Sequence, residues 1–237
     1  MTSSGTYSFS LSTGEAVLAA FERCQLRLPE NRQEHFATAR REVNFLLSEW
    51  SNRQVNLWKV ELDTQTLTQG TATYSLPAKV VMVLDAYRSI NTGSANQTNI
   101  YMTQISRTEY ASYATPQTQG PPLVYWMDRT ITPSVTFYPT PDANGPYVFN
   151  YYAVVQVQDA NLPSGETPDI PYRWYDAFVA GLAYRLARTF PPQGVDQIQF
   201  LAMRKAEYDE AWRFAATQDT ENVNFSIQPQ LSNYYRP

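Results

Sequence analysis

One stretch constrains the fold of this chain more than any other: residues 171–190, PYRWYDAFVAGLAYRLARTF. Its large apolar side chains recur at the spacing of one helix face. They are Tyr175, Phe178, Val179, Leu182 and Leu186. Most of the remaining positions are small or apolar, so the helix has little polar surface and is expected to be central. Pro171 suits the first turn of this helix, and Pro191 and Pro192 end it. The rest of the chain is expected to pack around it.

Two helices are predicted before this stretch. Residues 1–11 form an irregular arm, and the following Ser-Thr-Gly-Glu at 12–15 matches a capping box that starts a helix reaching about residue 26. Residues 28–31 contain a proline and interrupt the helical pattern. A second helix follows over residues 32–54, with an apolar stripe that ends at Trp50. Because the connection is short, the two helices are expected to form an antiparallel hairpin.

One helix is predicted after the central stretch, over residues 195–216. The side that we expect to be buried follows a helical spacing. Its members are Ile198, Leu201, Ala202, Lys205, Tyr208 and Trp212. Together with the two N-terminal helices and the central helix, it would complete a core of four helices.

The middle of the chain has a different period. From residue 55 the apolar residues alternate or form short runs bounded by Pro, Gly and Asn, which predicts six or so strands up to about residue 158. Two polar segments, residues 91–99 and 117–122, are predicted to be loops. A short helix is predicted from Ser106 to about Tyr113. The region therefore forms an all-β module inserted between helices.

The last twenty residues, 218–237, are polar and end in proline, but they carry scattered apolar side chains. These are Phe225, Ile227, Leu231, Tyr234 and Tyr235. Their spacing fits no single small core, which favours an extended arm that folds on a partner over an ordinary frayed terminus.

The fold class is therefore predicted to be α+β, with a four-helix core, an inserted all-β module and an extended C-terminal arm. Residues 1–54 supply the N-terminal arm and helical hairpin, and residues 55–158 supply the β module. Residues 159–217 complete the helical core, and residues 218–237 form the arm.

Composition limits the possible functions. The net charge is −4, and only 17% of the residues are charged, which argues against a protein that clamps nucleic-acid phosphates. The single cysteine, Cys24, rules out an intrachain disulfide. There is neither an apolar run long enough for a membrane span nor a signal-peptide pattern at the N-terminus. The 17 tyrosines and many neutral amides favour a large assembly surface.

Catalytic motifs are missing from the sequence. The only histidine, His35, lies within a predicted helix with no nucleophile beside it, and no zinc, Rossmann or P-loop motif occurs. A glycosidase needs only two carboxylates, so acidic residues were considered as candidates. They are Glu34, Glu42, Asp85, Asp128 and Asp176. For Asp176, in the first turn of the central helix, complementing the helix dipole is the favoured role. A sugar platform of Trp58, Trp126 and Trp174 is less favoured than core packing.

Several short motifs occur in a characteristic order. LLSEW ends the second helix, and TYSLP, ISRTEYASY, GPPLVYWMD, VTFYPTP and YVFNYYAVV follow before IPYRWYDAFVAGLAYRLA. Over about residues 12–215 this order resembles the head-to-tail adaptor family of short-tailed bacteriophages, also called tail accessory factors. The polar loop at 91–99 departs from the family pattern, and the C-terminal arm does not align with it.

The resemblance implies a non-enzymatic virion protein of the phage neck, assembled in the host cytoplasm. It implies a twelve-fold ring that joins the portal protein to the tail nozzle or hub, that passes DNA through its lumen and that needs no cofactor or metal. The helical core, including Trp50 and Trp212, would pack around the ring. The arm, which also contains Arg236, would bind the portal. Tail or fibre proteins would meet the loops at Asn96, Asn99, Gln119 and Pro121.

Other functions stay open at this point. One is another ring protein of the neck or tail, such as a nozzle or stopper. A second is a tail enzyme that degrades the cell wall, and a third is a monomeric module that holds a ligand on a tyrosine-rich face.

Overall fold

A computed structural model describes residues 5–26, 33–53, 57–115, 117–161 and 166–220. The chain is mixed α/β. Within the described ranges its helices are α1 (Thr13–Arg23), α2 (Gln33–Arg53), α3 (Arg107–Ala111), α4 (Tyr175–Thr189) and α5 (Gln197–Gln218). Its strands are β1 (Val60–Leu67), β2 (Thr73–Ser75), β3 (Val80–Ile90), β4 (Thr98–Gln104), β5 (Val124–Asp128), β6 (Ser134–Tyr138) and β7 (Tyr147–Val155). Short 3₁₀ turns at Leu57–Lys59 and Tyr172–Trp174 precede β1 and α4.

Helices α1, α2, α4 and α5 share one hydrophobic cluster, and we call these four helices the helical body. Helix α4 contacts each of the other three. Its Phe178, Leu182 and Leu186 are fully buried, as the spacing of the sequence predicts. Trp50 of α2 and Trp174, just before α4, lie with their ring centroids 4.9 Å apart. The apolar stretch is therefore central to the helical layer.

Close approach of α5 to α4 depends on Gly181. A Cβ atom at this position would lie 2.7 Å from Cε2 of Tyr208 and 3.0 Å from Cδ1 of Leu46. Tyr208 is held in place because its hydroxyl accepts a hydrogen bond from the Trp50 indole at 2.9 Å and donates one to Glu49 at 3.2 Å. The glycine therefore allows three helices to meet at one point.

The strands form a single curled sheet in the order β1-β7-β3-β4-β5-β6-β2. Neighbouring strands are antiparallel except β4 and β5, which pair in parallel. Buried side chains of the sheet form a second hydrophobic cluster. In it, the ring centroid of Phe149 in β7 lies 4.9 Å from that of Phe137 and 5.3 Å from that of Tyr125. Seven strands are observed between residues 60 and 155, where six or so were predicted over residues 55–158. Leu57 lies in a 3₁₀ turn, and the first strand begins at Val60.

The predicted buried side of the last helix is partly wrong. Helix α5 begins at Gln197, and its N-cap Asp196 accepts hydrogen bonds from the backbone of Ile198 and Gln199. Ile198 is 82% exposed, and Ala202 and Lys205 are also exposed. Phe200, Tyr208 and Ala215 face the core instead. Apolar residues occur on all sides of α5, so its sequence does not define one buried face.

Candidate interaction surfaces

The two predicted tail-facing loops lie at the same end of the sheet. The loop that carries Asn96 joins β3 to β4, where Ile90 is opposite Tyr147 at the start of β7. Leu67, the last residue of β1, is opposite the same Tyr147. Gln119 lies against the turn that follows β1, close to Gly70, and bridges to Thr140. The antiparallel register therefore brings both loops to one surface.

The four predicted residues of these loops differ in their environments. Asn96, Gln119 and Pro121 are exposed in connecting segments. Asn99 is also exposed, but it lies within β4, and its side-chain oxygen accepts hydrogen bonds from Ser89 at 2.7 Å and Gln97 at 3.0 Å. Asn99 thus stabilises the hairpin, and it offers fewer free polar atoms to a partner than Asn96 does.

A polar cluster supports this end of the sheet. The Tyr147 hydroxyl donates a hydrogen bond of 2.7 Å to Asp142, and the guanidinium of buried Arg88 lies 5.0 Å from the centre of the Tyr147 ring. Burial and the bond to Asp142 raise the pKa of Tyr147 to about 12. The same bond holds the pKa of the Asp142 carboxyl below its usual range. The contacts among Tyr147, Asp142 and Arg88 thus hold these side chains in place at the end of the sheet that carries the two loops.

The end of α5 is attached to the start of the β module. The buried Asp219 carboxylate accepts a hydrogen bond of 3.1 Å from the Leu57 backbone and one of 2.6 Å from Arg173. Thr220, the next residue, is the last that the structure describes. The residues predicted to form the portal-binding arm come after it and lie outside the described residues: Phe225, Ile227, Leu231, Tyr234, Tyr235 and Arg236.

The residues predicted to form the helical core lie within the helical body. Tyr175, Phe178, Val179, Leu182, Leu186 and Trp50 are buried. Trp212 is half-buried beneath the Arg53 guanidinium, 4.9 Å from its ring centre.

Sequence reasoning missed an ion network on one flank of the helical body. Arg185 of α4 donates to Glu42 at 3.2 Å and to Glu49 at 2.5 Å, and Glu49 also pairs with Arg53. Partial burial favours the neutral form of Glu49. The bond from Arg185 and the nearby positive charges outweigh this effect and keep the pKa of Glu49 below its usual range. No local motif reveals the network, because its members come from two helices that are distant in sequence.

A third surface was also missed. Tyr7 and Phe9 precede α1 and are 104% and 73% exposed. With Tyr172, which is 74% exposed, they line a cleft of about 590 Å³. The sequence does carry a signal here, because Tyr7, Phe9 and Leu11 alternate with serines.

The structure distributes the candidate carboxylates over several elements. Asp176 pairs with Arg23 at 2.9 Å, Glu42 pairs with Arg185, and Asp85 accepts a hydrogen bond from Tyr101. Glu34 lies at the start of α2 and Asp128 lies in β5. Glu34 and Glu42 share α2, whereas Asp85, Asp128 and Asp176 lie on β3, β5 and α4.

The other candidate chemical groups are also dispersed. His35 packs against the ring of Phe190, with centroids 4.6 Å apart. Trp174 is buried near Trp58, whereas Trp126 of β5 stacks on Tyr110, so these indoles form no common platform. Cys24 is buried and its thiol contacts the Ala183 carbonyl at 3.1 Å; burial raises its pKa to about 12.

Two further features are absent from the residues that the structure describes. Among them, no group of His, Cys, Asp or Glu side chains is arranged to hold a metal ion. No helix in the described ranges combines the length and apolar character needed to cross a bilayer.

Comparison with known proteins gives one informative match. A family model described as SU10 adaptor protein matches residues 18–228. The match includes α2 to α5 and all seven strands, and it extends into the C-terminal segment. No curated protein matches the chain.

Proposed function

Because the chain belongs to the SU10 adaptor protein family, a family of phage structural adaptors, we propose that it forms the ring that joins the portal to the tail. The family places the chain among the structural proteins of the virion neck, where it interacts with other neck proteins. We propose a short-tailed phage as its source and a twelve-fold ring as its assembly. The lumen of the ring would continue the DNA channel.

The family match across both the helices and the sheet is the observation that carries this proposal. A ring adaptor must contact identical neighbours on two sides and different proteins above and below. We propose that the four helices form the core of each subunit, with the β module of residues 55–158 inserted between the two halves of that core. The helical body would face its neighbours, and the loop end of the sheet would face the tail.

The portal contact is assigned to the C-terminal segment. Asp219 bonds the end of α5 to Leu57 and Arg173, and residues 218–237 contain five large apolar side chains. A mostly polar segment with spaced apolar side chains that follows a fixed helix end suits binding along the side of a larger ring. The net charge of −4 supports a lumen through which DNA passes without tight binding.

The mass of the protein alone and mixed with purified portal ring tests the proposal. The protein ending at Thr220 is the informative variant, because it retains the Asp219 bonds that join α5 to Leu57 and Arg173. We expect the full chain to form a ring on the portal and the shortened chain to lose that binding. A full chain that stays monomeric in the presence of the portal would contradict the adaptor role.

Alternative roles give different results. A nozzle or stopper would not bind the portal ring alone, but it would bind a preformed portal–adaptor complex. A cell-wall enzyme would reduce the turbidity of purified peptidoglycan.

For the loop surface, alanine at Asn96 and Gln119 is expected to weaken tail attachment without preventing ring formation on the portal. Normal tail attachment by this double variant would contradict the tail-facing assignment.

A further inference from the structure

The segment before α1 has the pattern of a strand but no strand partner among the described residues. Tyr7, Phe9 and Leu11 alternate with Ser8 and Ser10, the period of a strand with one apolar face. Tyr7 is 104% exposed and Phe9 is 73% exposed. Two large aromatic side chains of this segment are thus left in solvent, which suggests a surface outside this copy of the chain.

The base of this segment is fixed to the helical body. Ser12 and Glu15 form a reciprocal capping box, and the Thr13 backbone donates a hydrogen bond of 2.7 Å to the Glu166 carbonyl. The Phe9 ring makes an edge contact with Tyr175 at 5.9 Å. The segment therefore leaves the body at a defined point, which reduces the entropy lost when it binds a partner.

The edge strand β1 is a suitable acceptor. Within the sheet it pairs only with β7, and it has eight residues, whereas β2 at the opposite edge has three. On its outer face Leu62 lies directly opposite Tyr152, and these side chains are 50% and 42% exposed. A strand added at this edge would place its own apolar side chains beside this pair.

Among the described residues, local bonds close the free side of β1. The Thr64 backbone N–H donates to the Asp63 side chain at 2.8 Å, and the Gln65 side chain donates to the Thr66 carbonyl at 2.9 Å. Such bonds to adjacent side chains protect an edge strand, and an incoming strand can replace them.

We propose that residues 7–11 of one copy pair with the β1 edge of the neighbouring copy and thereby link adjacent subunits. Each copy carries one projecting segment and one free edge, so the contact is head-to-tail and, when repeated, closes a ring. The segment is neutral, so the acidic Glu61 and Asp63 of β1 do not repel it. The inference rests on the proposed ring and identifies one contact within it.

Cross-linking tests this contact directly. The variant Phe9→Cys/Leu62→Cys is treated with a short thiol cross-linker in the presence of the portal ring. Native Cys24 is buried with a pKa of about 12, so it contributes little thiolate. We expect a ladder of covalent multimers, with each single-cysteine variant stopping at dimers or monomers. A cross-link within one chain, or rings that form without a ladder, would overturn the proposal.

A second pair of variants tests the energetic role of the contact. Thr64→Pro removes an N–H that points away from β7, so the β1–β7 ladder is retained, and Thr64→Ala is the matched control. We expect the proline variant and Tyr7→Ser/Phe9→Ser each to raise the concentration needed for half-assembly by about ten-fold or more, and the alanine variant to change it little.

The two proposals fail in different ways. If Tyr7→Ser/Phe9→Ser forms portal-bound rings as readily as the native protein, the strand contact is overturned and the adaptor ring stands. If the native protein forms no ring on the portal and the Phe9→Cys/Leu62→Cys variant gives no cross-link between copies, both are overturned.

Discussion

The helical body and the curled sheet achieve stability by different chemistry. The helical body combines a dense aromatic and aliphatic core with a charged flank in which Arg185 binds Glu42 and Glu49. The sheet encloses aromatic side chains and neutral hydrogen bonds such as that between Asn150 and Ser89. Its buried cation, Arg88, lies against the Tyr147 ring. The body is therefore expected to depend on pH more strongly than the sheet.

The two regions also have separate cores. Their buried residues form two distinct clusters, and polar links such as the Lys59–Asp169 ion pair at 2.7 Å join the segments beside them. A chain with two cores and polar links can lose one core while it keeps the other. This arrangement suits an adaptor whose two ends meet different proteins.

The largest expected effect comes from truncating one large buried side chain in one core at a time. Phe178→Ala in α4 and Phe149→Ala in β7 each remove a phenylalanine that is 0% exposed. Each should cost about 3–5 kcal/mol of unfolding free energy in its own region. We expect Phe149→Ala to leave the helical circular dichroism signal on denaturant titration largely unchanged, while the fluorescence of Trp126 in β5 changes early. The other tryptophans pack against the helical body. Coincident transitions by both probes would show one cooperative unit instead.

A smaller effect is expected from the contact between α4 and α5. Gly181→Ala should destabilise the body by about 1–3 kcal/mol, because the added methyl group meets the buried Tyr208 ring. Gly14→Ala in α1 is the matched control: its Cβ would meet nothing within 4 Å, so better helix propensity should leave stability equal or slightly higher. Thermal unfolding of the two variants measures the difference, and equal melting temperatures would refute this account of Gly181.

Acid is expected to weaken the charged flank. The pKa of Glu49 is lowered in the folded state. The stability that ionised Glu49 contributes is therefore fully present above its unfolded pKa of about 4.3, and it is lost as the pH falls through the folded pKa. Glu49→Gln should lower the free energy of unfolding by about 1–2 kcal/mol at pH 7. The difference in unfolding free energy between this variant and the native protein should shrink toward pH 3. Melting temperatures across this range provide the test, and a constant difference would exclude the ionised Glu49 as its cause.

The smallest effect concerns the start of α1. Ser12→Ala removes the capping box and should cost about 1 kcal/mol. Ser106→Ala at the short, exposed α3 is the control, since that helix has no buried residues and its loss should change global stability less. If both variants melt at the same temperature, the Ser12 cap does not contribute to the stability of the body.

Much of the fold could be predicted because its signals are local. The periods of 3.6 and 2 located α2, α4 and most strands, and the Ser12–Glu15 spacing located the start of α1. The inward face of α5 could not be predicted in this way. Ile198 and Phe200 are both large and apolar, and only the position of α4 decides that Phe200 is buried and Ile198 exposed.

The candidate surfaces were predicted less completely. The polar loops were found from composition, but their position at one end of the sheet depends on strand register. The alternating Tyr7, Phe9 and Leu11 are visible in the sequence, yet their exposure is a property of the folded chain.

By itself the sequence determined where helices and strands form, which side of α4 is buried, and the family to which the chain is similar, because each depends on residues close together in the chain. The tertiary structure alone decided the order of strands in the sheet, the Arg185 network, the approach of Tyr208 to Gly181 and the free edge of β1. These features join residues that are distant in sequence, and packing geometry rather than local preference selects their partners.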